Sequence, residues 1–173
     1  MAYDPWQPGL RITANRLLAI SPTWQDWTPV WTTSTGANTP SFGDAAIIAR
    51  YAQTAHVVLW RLQIAFGATT DFGGGGASDN WRFSIPVTSN ESQLIAGYGE
   101  IQGANSAERF PVRARLTTTT DLELELSGGA YNNMTGNSSG LVDAATPFGA
   151  GSSGSTAWGN GFSIRLQGQY ETA

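Results

Sequence analysis

Fifteen consecutive residues leave this chain one local way to fold. Val112 to Leu116 and Asp121 to Leu126 alternate apolar and charged residues on either side of Thr117 to Thr120. That is the period of a strand with one buried face. Folded as a hairpin, the stretch matches its faces only when paired residue numbers add to an even value. A three-residue loop, Thr118 to Thr120, gives the sum 238 and sets Arg115 opposite Glu123, Arg113 opposite Glu125, and Ala114 and Leu116 opposite Leu124 and Leu122. A two-residue loop gives 239 and sets both arginines against leucines. The even register is expected, with Arg113, Arg115, Glu123 and Glu125 as a solvated ladder of ion pairs, each contributing about 0.2–1 kcal/mol.

The same period recurs along the chain. Val58, Trp60, Leu62, Ile64 and Phe66 share one face of a stretch from His56 to Phe66, which pairs with Ala46 to Tyr51. Trp81, Phe83, Ile85 and Val87 mark another strand, Leu94 to Ile101 one thinned by Gly97 and Gly99, and Phe162 to Tyr170 the last. Trp27 to Trp31 opens a strand that Pro29 confines to an edge or a bulge. Charged residues are only 13%, and 21 glycines and 8 prolines supply turn signals, which excludes long Ala/Glu/Lys/Leu helices. Eight or nine short strands in a chain of 173 residues predict one all-β domain over residues 23–173, an antiparallel β-sandwich of jelly-roll-like topology. The Gly-, Ser- and Asn-rich stretch 127–161 reads as a long functional or partner-packed loop.

Residues 1–22 differ from the rest. Asp4-Pro5-Trp6-Gln7-Pro8-Gly9 forms a turn-rich arm, and Thr13 caps a short helix over 14–20 that Ser21-Pro22 ends. Two helical turns are not stable alone. Leu17, Leu18 and Ile20 therefore need a partner surface, in the same chain or in another protein.

Charge and reactive groups exclude much chemistry. The nine basic residues are all arginines, cysteine is absent, and net charge is −4. Disulfides, thiolate nucleophiles, Schiff bases and a P-loop lysine are excluded, and an acidic chain is a poor nucleic-acid binder. The start carries no basic and apolar leader, and the apolar stretch His56 to Phe66 is interrupted by Arg61 and Gln63, so no membrane insertion is expected. His56 is the only histidine and begins an apolar strand without a Gly-x-Ser-x-Gly elbow; a structural role is expected in place of a triad or a zinc site. Asp121, Glu123 and Glu125 put three carboxylates on one strand face, and the cross-strand arginines neutralise such acids where a glycosidase acid needs a raised pKa. Asp71-Phe72-Gly73 has no kinase context, Gly73 to Gly76 lacks the lysine of a phosphate loop, and the sequons at Asn90, Asn133 and Asn137 lack a secretory one. No catalytic residue, metal or cofactor is expected.

Seven tryptophans carry more information. Trp60 and Trp81 read as core. Trp6, Trp24 and Trp27 flank the short helix, where an interface competes with core packing. Trp158, with Tyr131, Asn132 and Asn133 in the long loop, is the candidate contact for a glycan or receptor.

Two stretches resemble known phage proteins. Trp6-Gln7-Pro8-Gly9-Leu10-Arg11-Ile12-Thr13-Ala14-Asn15-Arg16-Leu17 resembles the Pro-Gly-x-x-Ile-Thr-Ala-x-x-Leu entry segment of tailed-phage virion proteins: tail fibres, minor tail proteins and head fibres. Trp27-Thr28-Pro29-Val30-Trp31-Thr32, then Pro40 to Asp44 and Ala49-Arg50-Tyr51, is similar to the β-domain of small structural proteins from phages of actinobacteria. Arginine-only base usage agrees with a GC-rich host. The resemblance covers residues 6 to about 87. It implies a non-enzymatic virion protein, made in the host cytoplasm and homotrimeric, and it brings no catalytic residues. Trp6, Leu10, Ile12, Leu17, Leu18, Trp24 and Trp27 are expected to dock it to itself and to other virion proteins, with the β-domain displayed to a host cell-surface glycan as in a tail fibre or minor tail protein. A capsid decoration or head-fibre protein, and a carbohydrate-binding module, are the alternatives.

Overall fold

Period-two alternation becomes nine antiparallel strands: β1 (Gln25–Asp26), β2 (Trp31–Thr33), β3 (Ala46–Thr54), β4 (Val57–Ala65), β5 (Trp81–Ser84), β6 (Leu94–Gln102), β7 (Arg109–Leu116), β8 (Asp121–Leu126) and β9 (Ser163–Glu171). A computed structural model describes residues 11, 13–14, 21–37, 39–73, 79–103, 109–126 and 158–172. All but Ala14 of the short helix expected over 14–20, and nearly all of the loop expected over 127–161, lie outside them. Among the described residues no helix is long and apolar enough to cross a membrane.

All nine strands share one sheet, in the order β1-β3-β4-β9-β6-β7-β8-β5-β2. This corrects the expectation of two stacked sheets with jelly-roll topology. The physical reason lies in residues 25–33. β1 pairs with β3 and its ladder continues to Trp27, whose N–H donates to Ala49 O at 3.0 Å. β2 pairs with β5, and that ladder begins at Val30, whose carbonyl accepts from Ser84 N at 2.9 Å. Only Thr28 and Pro29 separate the two ladders. Five residue steps from Asp26 to Trp31 span at most about 18 Å. The two edges of the sheet must therefore approach one another, and the sheet curls into a half-barrel bridged by this segment. Pro29, with no N–H to give, sits where the chain leaves one edge for the other.

The concave side is the core. Trp60, Leu62, Ile64, Phe83, Leu122, Leu124 and Ile164 are fully buried there. An aromatic cluster joins the far strands: Trp31 meets Trp81 edge-on at 4.8 Å and stacks on Phe66 at 5.5 Å and Phe83 at 5.8 Å. The expected hairpin forms in the expected register, with Arg113 opposite Glu125, Ala114 opposite Leu124, Arg115 opposite Glu123 and Leu116 opposite Leu122. β3 and β4 turn through Ala55 and His56. His56 is thus exposed in a turn and does not begin the strand.

One irregularity matters for function. The β6–β7 register shifts between Ile95 and Gly97, leaving Ala96 as the extra residue of a bulge. Leu94 and Gly97 then lie opposite the inward-facing Leu116 and Ala114, and Tyr98 turns outward opposite Arg113. The bulge is held by Trp60, whose Nε1 donates to Ala96 O at 3.2 Å. Gly97 makes room for that indole, since a Cβ there would stand 2.7 Å from Trp60 Cζ2.

Two predictions test this. Gly97→Ala drives a Cβ to 2.5 Å from the Gln167 carbonyl oxygen and 2.7 Å from Trp60 Cζ2 and costs about 1–3 kcal/mol in urea unfolding; an unchanged midpoint contradicts the packing. Acid also weakens the fold through two aspartates. Burial pushes the Asp79 carboxyl up, but hydrogen bonds from the Thr35 N–H at 3.0 Å and hydroxyl at 2.8 Å outweigh it and leave the pKa lowered. Backbone and side-chain hydrogen bonds from Thr69 lower that of Asp44. Depressed folded values add stability above the unfolded carboxylate range, and that stability is lost as pH falls through them. The urea midpoint should fall below about pH 4, and Asp79→Asn should flatten part of that slope.

Candidate functional site

The convex face of the sheet carries the polar chemistry. Seven of the nine arginines project from it: Arg50 on β3, Arg61 on β4, Arg82 on β5, Arg109, Arg113 and Arg115 on β7, and Arg165 on β9. Strand registers align one transverse row over seven strands: Asp26, Arg50, Arg61, Gln167, Tyr98, Arg113 and Glu125. A second row runs Gln63, Arg165, Glu100 and Pro111.

These rows meet in a shallow groove of about 550 Å³ lined by Arg61, Gln63, Tyr98, Glu100, Arg109, Arg165 and Gln167. Tyr98 lines it and is 61% exposed. Such a ring on the convex face, with the Gln167 amide on one side and Arg113 on the other, suits stacking against the apolar face of a sugar, with hydroxyls reaching donors and acceptors beside it. Among the described residues Glu100 is the only carboxylate lining the groove. It accepts from Arg165 Nη1 at 2.9 Å and Arg109 Nη1 at 3.1 Å, so it is spent on holding two cations. A smaller depression of about 340 Å³ lies beside Val57, Glu91, Tyr170 and Glu171. Its tyrosine is engaged, because the Tyr170 hydroxyl donates to Val87 O at 2.7 Å and accepts from Val87 N at 3.2 Å. Burial raises its pKa to about 12.

At the other end of the face, the ion pairs differ from the expected ladder. Arg113 Nε meets Glu125 at 2.7 Å as expected, but Arg115 Nε crosses diagonally to the same carboxylate at 3.0 Å. Glu123 is taken by Arg82, which lies opposite it on β5 at 2.7 Å and was not anticipated. Thr117 Oγ1 donates to the same Glu123 oxygen at 3.2 Å. The carboxylates are not solvated either: Glu123 is 2% and Glu125 9% exposed. A strand on each side supplies cations to β8, so its acids are covered where a free hairpin would leave them in water.

The remaining candidates separate. Trp24 is 41% exposed at the β1 edge of the convex face, with the Arg61 guanidinium 5.5 Å from its ring centre. Trp27 turns to the other side and packs against the core, 6.4 Å from Trp60. Trp158 corrects the expectation of a glycan contact: it is 7% exposed, 4.2 Å from Trp81, and belongs to the aromatic core. Trp6, Leu10, Ile12, Leu17, Leu18, Tyr131, Asn132 and Asn133 lie outside the described residues. Tyr98, Gln167 and Arg165 were missed by sequence reasoning. The available signals were Gly97-Tyr98-Gly99, an aromatic ring between two residues without side chains, and the alternating Arg165, Gln167 and Gln169. Set against protein-family models, curated proteins and solved structures, the chain matches none.

The ion pairs give a test. Removing one partner of a covered pair leaves a buried charge, whereas an exposed pair adds little. Arg82→Ala should cost about 3 kcal/mol, against less than about 1 kcal/mol for Arg109→Ala, whose side chain is 56% exposed. Equal costs in urea unfolding would contradict the assignment of Arg82 to Glu123.

Proposed function

We propose that this protein is a non-enzymatic component of a tailed-phage particle, a tail fibre or minor tail protein. It docks through residues 1–22, assembles as a homotrimer, and displays the convex face of its sheet to a saccharide on the host surface. The observation that carries the binding part is the groove beside Tyr98, an exposed aromatic platform with Gln167, Arg61 and Gln63 to one side of it. Five of the described acids have structural partners that support a non-catalytic role: Glu100, Glu123 and Glu125 hold arginines, and Asp44 and Asp79 hold turns. The particle part is supported by the motifs of residues 6–87.

A second reading, a capsid decoration or head-fibre protein that binds no receptor, draws on a different observation. Ile48, Val57 and Leu59 are exposed on β3 and β4, near Trp24, and such side chains suit contact with another protein.

Retention of the purified full-length chain on actinobacterial cell walls separates the readings. The tail reading expects binding that Tyr98→Ala weakens about tenfold, equivalent to about 1.4 kcal/mol, and a chain lacking residues 1–22 that still binds walls but no longer enters particles. Cell-wall binding that is absent, or indifferent to Tyr98, favours the decoration reading; incorporation without residues 1–22 removes the docking role.

A further inference from the structure

We infer that the groove selects an anionic saccharide, with Arg61 taking the ligand's carboxylate or phosphate while Tyr98 stacks against a sugar ring; this rests on the reading of the groove as a saccharide site.

Charge gives the first reason. Among the described residues the groove is lined by three arginines, Arg61, Arg109 and Arg165, and one acid, Glu100. Arg109 and Arg165 share that acid, whereas Arg61 does not reach it.

The placement of Arg61 gives the second. It lies directly opposite Arg50 in the β3–β4 register, and like charges facing one another across strands are destabilising. Arg50 is neutralised by Asp26 at 2.9 Å. Arg61 makes no ion pair among the described residues. Its Nε is covered and has no acceptor, and the Trp24 ring lies 5.5 Å away. The side chain is thus held by packing, and among the described residues no acceptor is recorded for its terminal nitrogens. A fold that keeps such a cation beside another is poised for an anion, and a planar guanidinium binds carboxylate or phosphate through two parallel hydrogen bonds.

Geometry joins the two groups. Arg61 and Tyr98 occupy one transverse row with Gln167 between them. Two strand spacings separate their backbones by about 10 Å, and the Arg61 guanidinium leans toward Trp24 on the far side, so the ligand must span more than one sugar ring. Gln167 and Gln63 offer amides for hydroxyls along the way. A bare acidic peptide would use the arginines but leave the ring and amides without a role, so the face favours a sugar.

The test titrates the full-length protein calorimetrically with trigalacturonate and its neutral methyl ester, phosphorylated and unmodified dextran oligomers of matched length, and hexaglutamate. At least one anionic saccharide should bind tenfold or more tighter than its neutral counterpart and weaken with salt; which one does so distinguishes carboxylate from phosphate. Arg61→Gln should reduce that ligand to the neutral level. Arg50→Gln, which removes a cation already paired, should leave binding unchanged and so excludes a general charge effect. Tyr98→Ala should weaken charged and neutral sugars alike. Equal binding of neutral and anionic saccharides, hexaglutamate as tight as either sugar, or indifference to Arg61→Gln overturns the inference while leaving the groove a binding site. If no saccharide binds, the saccharide reading of the groove falls with it.

Discussion

The architecture depends on a chain segment too short to allow anything else. Thr28 and Pro29 are all that separate the ladder of one sheet edge from that of the other. A flat nine-stranded sheet would hold its edges about 38 Å apart, eight spacings of about 4.8 Å, and so short a bridge cannot span that. Curvature follows, and with it a concave side narrow enough for Trp31, Phe66, Trp81 and Trp158 to meet from distant parts of the chain. Five tryptophans, Trp27, Trp31, Trp60, Trp81 and Trp158, thereby acquire a structural reason in a chain without disulfides, since large rings fill a closed curve from a few positions.

Closing the sheet inward also opens its other side. On the convex face, strands diverge and side chains stand apart, so long arginines and glutamines form rows in place of a packed layer. The Ala96 bulge then adds one aromatic ring to this polar surface. Trp60 couples the two sides, because the indole that fills the core over Gly97 also holds the bulge by donating its N–H to Ala96 O. Core packing and the exposed platform are therefore one device, and the presentation of Tyr98 depends on an interior contact.

Local alternation made much of this legible. The register of the 112–126 hairpin follows from parity alone, because a slip by one residue exposes every leucine. The strands at 46–54, 57–65, 94–102 and 163–171 are likewise close to where the alternation places them. What alternation cannot supply is which strands become neighbours. A β-sandwich and a curled single sheet use the same inward residues, and the difference lies in the pairing of β1 and β2 with opposite edges. The same gap explains Glu123: its partner Arg82 is 41 residues away and becomes a neighbour only through the β5–β8 pairing. Trp158 was misread for its setting, since a tryptophan among glycines and serines looks exposed until distant rings are found around it. Tyr98 was hidden by the bulge, because strict alternation from Leu94 points it inward.

The central claim is that a saccharide binds the convex face at the Tyr98 row. Amide chemical-shift mapping on the isotopically labelled full-length protein, titrated with solubilised actinobacterial cell-wall fragments, addresses it most directly. The account predicts perturbations concentrated at Arg61, Gln63, Tyr98, Gln167 and their strand neighbours, with the amides of the aromatic core unmoved. Perturbations gathered in 127–157, or around Glu91 and Glu171, would contradict it.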